Sequence, residues 1–389
     1  MGKNFKLTAK TLFGFEDLLA TELKNLGALN IQKGQRMVSF EGDDGFMYKA
    51  NLACRTAIKI LKPIYHFKAN DEKSLYDGIM KYDWVDLFDV DKTFAIDATV
   101  FSDDFSHSKY VALLSKDAIV DQFRNAFNRR PNVDTEDPDV RINIHIHMND
   151  VTVSLDSSGN SLHQRGYRTQ TNEAPINEVL AAGLLMLSGW TGQCDFLDPM
   201  CGSGTILIEA GMIACNIPAN IHRKGFAFEK WQDFDATLYE KIKENLLKKT
   251  KEFEFSIIGF DIDFQTMKKA KININQAYLE DYIDVEKQDF FTSSKDSDKP
   301  LHIFFNPPYN ERISINTEDF YKEIGNTLKR NYAGTNAWLI TSNYDALKSV
   351  GLRPSAKIKT FNGALEARLV HYELYDGTKR YGKQMDEKK

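Results

Sequence analysis

Basic charge, paired cysteines and long apolar runs are all scarce in this sequence of 389 residues. Lysine and arginine number 50 against 55 acidic residues, so the net charge is −5, whereas chains that bind nucleic acid over their whole surface are basic. The four cysteines form no C-x-x-C pair, which argues against a disulfide framework or a zinc site and favours a reduced compartment. No apolar run approaches the roughly 18 residues of a membrane span, and no signal-peptide core follows the first methionine. We therefore expect a cytoplasmic protein without a metal or a membrane partner.

The first 165 residues alternate short strands and helices, which predicts two small α+β units. The predicted strands are 5–9, 37–40, 58–67, 94–100, 140–148 and 151–155, and the predicted helices are 15–26, 46–52, 74–80 and 111–127. Asn149 and Asp150 are expected to form the tight turn between the last two strands. His145 and His147 share one face of a strand, and without a third ligand nearby they indicate a polar surface rather than a metal site.

From residue 174 onward, long helices alternate with short apolar strands. The predicted strands are 195–197, 256–260, 283–285, 302–305 and 337–340, and the predicted helices are 176–187, 205–215, 238–248, 264–277 and 320–328. Strands separated by helices favour a parallel, doubly wound α/β sheet. The stretches 356–361 and 365–375 are too close together for a crossover helix and predict an antiparallel hairpin.

The sequence FLDPMCGSGT at 196–205 ends one predicted strand and begins a helix through a glycine turn. Ligands of open α/β sheets bind at this carboxyl edge. Gly202 and Gly204 would let the backbone approach a ligand, and the free N–H groups of the helix attract a carboxylate or a phosphate. The spacing matches neither G-x-G-x-x-G nor a P-loop, and taken alone it is also typical of a plain strand–helix connection.

Acidic residues follow the next two predicted strands. Asp261 ends GFD and is suited to accept the hydroxyls of an adenosine ribose, whereas Asp263 is placed to cap the next helix. Asp289 in QDFF could accept the amine of an adenine, although a loop aspartate is more often a turn residue.

The decisive segment is NPPY at 306–309, which follows a further predicted strand. Two consecutive prolines have no N–H and hold the chain extended. The Asn306 amide and the Pro307 carbonyl would then offer two acceptors at one point, which suits an –NH₂ group on a planar ring, and Tyr309 would stack on that ring. Holding both hydrogens of such an amine favours a positioning mechanism over acid–base catalysis.

In this order the four motifs resemble those of S-adenosylmethionine-dependent amino-methyltransferases. Flanking segments at 162–168, 174–185, 225–231 and 361–369 extend the resemblance over the whole chain, to the bacterial 23S rRNA guanine-N2 methyltransferases of the RlmL type. The resemblance implies a ferredoxin-like domain at 1–68, a THUMP RNA-binding domain at 69–165 and a Rossmann-like class I methyltransferase domain at 166–389. The implied partner is 23S rRNA or a large-subunit assembly intermediate.

The resemblance also implies a role for each motif. Residues expected to bind S-adenosylmethionine are Asp198, Pro199, Cys201, Gly202, Gly204, Thr205, Asp261 and Asp289. Residues expected to hold the flipped guanine are Asn306, Pro307, Pro308 and Tyr309. RNA would follow the basic side chains of residues 1–70, Arg165, Arg168 and the basic C-terminal tail.

Two departures from the family qualify the resemblance. The family follows NPPY with Gly-Glu-Arg, whereas Asn310 stands here; asparagine tolerates a left-handed backbone, so we expect the loop to be preserved. Some members are fused to a second enzyme that makes 7-methylguanosine, and because no second glycine turn occurs we expect the stand-alone form.

Four other functions remain open at this point. The same chemistry could act on tRNA, or an adenine amino-methylase could act on DNA. A non-catalytic RNA-binding or ribosome-assembly factor with a relic cofactor site is disfavoured by intact Asp198, Asp261 and Asn306. A nucleotide hydrolase is disfavoured because the P-loop lysine is missing.

Overall fold

The computed structural model describes residues 3–171, 175–295, 298–308 and 316–375. Its first elements are β1 (Phe5–Thr11), α1 (Glu16–Leu26), β2 (Leu29–Gly34), β3 (Met37–Gly42), α2 (Asp44–Ala53), β4 (Ala57–Lys68), α3 (Glu72–Met80), α4 (Trp84–Leu87), β5 (Thr93–Phe101), α5 (Ser108–Phe127), β6 (Asn132–Val133), β7 (Val140–His147) and β8 (Asp150–Asp156). The later elements are α6 (Glu178–Leu187), β9 (Asp195–Asp198), α7 (Thr205–Ala214), α8 (Ala236–Leu247), β10 (Ile257–Asp261), α9 (Phe264–Gln276), β11 (Ile283–Lys287), β12 (Leu301–Phe305), α10 (Thr317–Asn331), β13 (Asn336–Thr341), α11 (Ala346–Ser349), β14 (Ala356–Asn362) and β15 (Leu365–Glu373). No helix within these described ranges has both the length and the apolar character needed to cross a membrane.

The chain forms two compact units, and each is described by itself. The first comprises Met1–Thr11, Leu19–Gln164 and Arg223–Asn245. The second comprises Leu12–Leu18, Arg165–His222 and Leu246–Lys389. Both units therefore draw on separate stretches of the chain.

The first unit contains one mixed sheet with the strand order β2-β3-β1-β4-β8-β7-β5-β6. Antiparallel pairing of β4 with β8, from Leu61 opposite Asp156 to Lys68 opposite Asp150, joins the strands on either side of residue 68 into this single sheet. The alternate residues of β7 predicted to face the core, Ile142, Ile144 and Ile146, are fully buried. Burial of this apolar face stabilises the unit.

The turn between β7 and β8 differs from the prediction by one residue. His147 pairs with Asp150, so Met148 and Asn149 form the connection rather than Asn149 and Asp150. Met148 adopts φ of +55°, a left-handed conformation that asparagine would tolerate more easily. The register explains the correction, because it places Ile146 opposite Val151 on the buried face, and a shift by one residue would turn one strand outward.

The second unit contains a sheet with the strand order β11-β10-β9-β12-β13-β15-β14. Strands β9 to β13 run parallel, whereas β15 is antiparallel to both β13 and β14. The predicted doubly wound sheet and C-terminal hairpin are therefore confirmed. The strand order reverses at β9, which has β10 on one side and β12 on the other. Such a switch point is where open α/β sheets bind ligands.

The predicted helices and strands all coincide with observed elements, with ends that differ by a few residues. The short or polar elements that were not predicted are β2, α4, β6, α11 and the 3₁₀ turns Ala227–Lys230 and Phe290–Thr292. Strand β2 is an edge strand whose side chains are nearly all exposed, so it lacks the apolar alternation that predicts a strand.

Candidate active site

The predicted glycine turn connects β9 to α7 at the switch point. Gly202 and Gly204 have φ of +56° and +84°, where a side chain would be strained. Apart from its chain neighbours, no atom of the described residues would lie within 4 Å of a Cβ added to Gly202, so this part of the turn faces open space. The Cys201 N–H donates to the Phe260 carbonyl at 2.9 Å and thereby fixes the turn to β10. The backbone of residues 201–204 thus forms a cradle that is open at Gly202.

Asp198 ends β9 with a fully buried side chain. Its Oδ1 accepts a hydrogen bond from the Met200 N–H at 3.1 Å, whereas Oδ2 has no hydrogen-bond partner among the described residues. Burial, and to a lesser degree the nearby Asp261, raises the pKa of Asp198 to about 8. A buried acceptor without a protein partner is costly unless a ligand supplies the donor.

Asp261 and Asp263 divide their roles at the end of β10. The Asp261 carboxylate accepts hydrogen bonds from the Gly202 N–H at 3.2 Å and the Asp263 N–H at 2.9 Å. Burial raises the pKa of Asp261 in spite of these bonds. Asp263 accepts from the Thr266 N–H at 2.8 Å as the N-cap of α9, which confirms its predicted capping role. The ribose contact of Asp261 stays a prediction.

Asp289 lies at the same edge, one strand further on. The Gln288 N–H donates to the Asp261 carbonyl at 3.2 Å, which keeps this loop beside the end of β10. The Asp289 side chain is exposed and accepts from the Phe291 N–H at 2.9 Å, so it caps the short 3₁₀ turn Phe290–Thr292. One carboxylate oxygen therefore has a local structural role, and an adenine contact stays a prediction.

Strand β12 brings the NPP segment to this edge. It pairs in parallel with β9, with Ile303 opposite Leu197, so Asn306 and Asp198 lie at the ends of neighbouring strands. Pro307 is buried and Asn306 is partly exposed. Tyr309 and Asn310 lie outside the described residues.

The two arginines that we expected to contact RNA both bind other residues of the protein. Arg165 is fully buried, pairs with Glu209 at 3.4 Å and donates to Asn220 Oδ1 at 2.9 Å. Arg168 donates through Nη2 to the Ile176 carbonyl at 2.7 Å and to Thr205 Oγ1 at 2.9 Å. For Arg165 the expectation was wrong, because sequence alone does not reveal a charge that a distant helix encloses, whereas for Arg168 it stays a prediction.

Two further residues shape the turn, and neither was predicted. A Cβ on Gly259 would lie 2.4 Å from Leu207 Cδ1 and 3.1 Å from Cys201 Sγ, so β10 packs tightly beneath the turn. Asn273 is 1% exposed on α9, where it donates to the Ser203 carbonyl at 3.0 Å. Its signal in the sequence is a polar residue beside buried Ile274, on the apolar face of an amphipathic helix.

Comparison with known families agrees with this geometry. Residues 6–61 match the RlmL ferredoxin-like domain, residues 69–156 the THUMP domain, and residues 165–371 the RMKL-like methyltransferase domain. The chain belongs to the RMKL-like methyltransferase family. The family and the fold class inferred from the four motifs are thus confirmed.

Individual relatives match nearly the whole chain. A protein of Synechocystis sp., slr0064, described as an RNA methyltransferase, is 38% identical over 93% of this chain and 95% of its own length. The structure of SMU.472, described as a methyltransferase in complex with S-adenosylhomocysteine (SAH), is 28% identical, covers 97% of this chain and 100% of its own, and has a TM-score of 0.85. A structure from Listeria monocytogenes, described as an N6-adenine-specific DNA methylase, is 27% identical with 95% and 96% coverage and a TM-score of 0.84.

S-adenosylmethionine is the cofactor of this methyltransferase family, as predicted. The residues present fit it on two observations of the structure. The open space at Gly202 leaves room for a ligand against the backbone. Asp198 Oδ2, which no described residue binds, offers a buried acceptor to a ligand donor.

Proposed function

We propose that this chain methylates RNA, and specifically that it transfers a methyl group from S-adenosylmethionine to the N2 amine of a guanine in 23S rRNA. The observation that carries the proposal is the Asn306-Pro307-Pro308 segment at the end of β12, beside the glycine turn that follows β9. We assign the ferredoxin-like domain to residues 1–68, the THUMP domain to 69–165 and the methyltransferase domain to 166–389, in a cytoplasmic enzyme.

The cofactor side of the site uses the edge formed by β9, β10 and β11. We assign its binding to Asp198, Pro199, Cys201, Gly202, Gly204, Thr205, Asp261 and Asp289. Asp198 and the glycine turn would hold the methionine part, Asp261 the ribose and Asp289 the adenine. When bound, the cofactor supplies an electrophilic methyl group on its sulfonium.

The target side orients an amine that is a weak nucleophile, because its lone pair is delocalised into the ring. The Asn306 amide oxygen and the Pro307 carbonyl would each accept one N–H of that amine, and the two prolines prevent the segment from rotating away. Tyr309 would stack on the flipped base and offset part of the unstacking cost. The chain thus contributes orientation, and no protein group has to remove a proton before the methyl group is transferred.

RNA is favoured as the substrate by the THUMP match at residues 69–156 and by the description of the Synechocystis relative as an RNA methyltransferase. The second candidate is adenine methylation in DNA, because the Listeria neighbour is described as a DNA methylase and NPPY suits either amine. A tRNA substrate would require no change in the site.

Nucleoside mass spectrometry of 23S rRNA, tRNA and DNA from a gene deletion and its parent tests the proposal. Loss of one N2-methylguanosine from the 23S fraction alone is the expected result. Loss from tRNA, or loss of N6-methyladenine from DNA, would assign the enzyme to that substrate instead. Complementation with Asn306→Ala should fail to restore the modification although the purified variant still binds SAH, because Asn306 is assigned to the base and not to the cofactor.

A further inference from the structure

Arg168 is anchored beside the first turn of α7. Its Nη2 donates to Thr205 Oγ1 at 2.9 Å and to the Ile176 carbonyl at 2.7 Å. Thr205 is the first residue of α7, directly after the glycine turn. The guanidinium is therefore fixed at the place where the turn becomes a helix.

Asn273 holds the residues that follow Arg168 to the same turn. Its Oδ1 accepts from the Thr169 and Gln170 N–H groups, each at 3.0 Å, and its Nδ2 donates to the Ser203 carbonyl at 3.0 Å. The backbone after Arg168 and the guanidinium itself are thus attached independently to residues 203–205. Little further ordering is needed for Arg168 to bind a ligand in the cradle.

The hydrogen-bonding capacity of Arg168 is only partly used. Its Nε lies 3.3 Å from Glu178 Oε1 and its Nη2 is bound as described, whereas Nη1 makes no hydrogen bond with any described residue. The side chain retains 13% exposure. Burial raises the pKa of Glu178 despite the attraction of Arg168, which disfavours the charged form of this neighbour. A positively charged donor thus remains available.

Like Arg168, the N-terminus of α7 favours a negatively charged ligand. Its N-cap is Gly204, which has no side chain to accept from the free N–H groups of the first turn. These groups and the helix dipole attract negative charge, as the Arg168 guanidinium does. On the other side of the turn, Asp198 offers the acceptor Oδ2. A positively charged hydrogen-bond donor and a hydrogen-bond acceptor beside the same turn suit a zwitterionic ligand, which carries a carboxylate and an ammonium group.

We propose that Arg168 binds the carboxylate of the methionine part of the cofactor through Nη1, while Asp198 faces its amine. The inference rests on the proposed function in one respect, the assignment of the glycine turn to the methionine part. It replaces the role in RNA binding that the sequence had suggested for Arg168.

A two-by-two comparison of protein and ligand tests this assignment. Calorimetry measures the binding of SAH, and of its decarboxylated analogue S-adenosyl-3-thiopropylamine, to the full-length protein and to Arg168→Gln. Loss of a charge-assisted hydrogen bond should weaken SAH binding by about 10- to 100-fold. The analogue lacks only the carboxylate, so its affinity should change by less than about threefold, within the error of additivity between independent effects. Lys271→Gln, an exposed charge change on α9, is the matched control and should leave both affinities unchanged.

Equal weakening of both ligands by Arg168→Gln would overturn the proposal, because it would mean that Arg168 only supports the turn. Unchanged binding of both ligands would also overturn it, and a raised KM for RNA would then indicate a phosphate contact. Failure of the unaltered protein to bind SAH at all would instead refute the proposed function. The comparison therefore distinguishes failure of the Arg168 proposal from failure of the proposed function.

Discussion

Replacing Asp198 with asparagine should change how the stability of the protein depends on pH. In the folded protein the Asp198 pKa is raised from 3.8 to about 8, chiefly by burial. A raised carboxyl pKa has no effect on stability below the unfolded value, and it costs stability as the pH rises from there to the folded value. The unfolded chain ionises in this window while the folded chain keeps its proton.

The slope in that window is about 1.4 kcal/mol per pH unit for one group. Between pH 5 and pH 7.5 the wild-type protein should therefore lose about 3 kcal/mol of unfolding free energy relative to Asp198→Asn. The variant adds a constant penalty of about 1–2 kcal/mol, because no described residue offers an acceptor to its Nδ2 donor at any pH. Only the change with pH reports the titration of Asp198.

Urea unfolding followed by tryptophan fluorescence across this pH range measures the difference. Asp284→Asn is the matched control, since Asp284 is an exposed carboxylate on β11 and should leave the pH profile unchanged. Parallel profiles for the wild type and Asp198→Asn would refute the reasoning, because they would show that Asp198 is already ionised in the folded protein. The expected result is that the unfolding free energy of the wild type, minus that of Asp198→Asn, decreases steadily from pH 5 to 7.5. This result would support a protonated Asp198 in the site before the ligand binds.

Three further substitutions test the interior and the ribose contact. Arg165→Met leaves Glu209 buried without its counter-charge and should cost about 3–5 kcal/mol in urea unfolding, most of it recovered when Glu209 is also replaced by methionine. Gly259→Ala places a Cβ 2.4 Å from Leu207 and should cost about 1–3 kcal/mol through overpacking in the same assay. Asp261→Ala removes an acceptor from the site and should weaken SAH binding by about tenfold in calorimetry.

Matched controls exist for all three. Arg353→Met and Asp284→Ala alter exposed charged residues, and Gly225→Ala adds a Cβ whose nearest atom lies 3.5 Å away on the Glu229 side chain. Each control should change the free energy of unfolding, or for Asp284→Ala the free energy of SAH binding, by less than about 0.5 kcal/mol. Equal effects of a substitution and its control would contradict the packing, charge or ligand argument concerned.

The part of the site that could be predicted is the part determined by residues close together in the sequence. A buried strand, a sharp turn and a helix start follow one another within ten residues at 196–205, and the N-cap role of Asp263 follows from its place one residue before α9. Parallel strands end at one edge, so placing the four motifs at strand ends was sufficient to bring Asp198, Asp261 and Asn306 to that edge.

The rest depends on contacts between residues far apart in sequence. Arg165 is 44 residues from its partner Glu209, and nothing in the local composition separates it from an exposed arginine. Asn273 is 70 residues from Ser203, which it holds in place. The β7–β8 turn was displaced by one residue because the isoleucines of β7 set the register, overriding the turn preference of Asn149 and Asp150.

The pairing of β4 with β8 has a consequence for dividing this protein into fragments. A cut between residues 68 and 69 would leave β8 as an unprotected edge, with Val151, Val153 and Leu155 on the strand whose partner is gone. Such edges promote aggregation, so a fragment of residues 69–165 should be poorly behaved alone. Fragment 1–68 carries β4, the strand that pairs with β8. Expressing the two fragments together should restore the hydrogen bonds between β4 and β8. Residues 69–165 are therefore a poor source of a transplantable module.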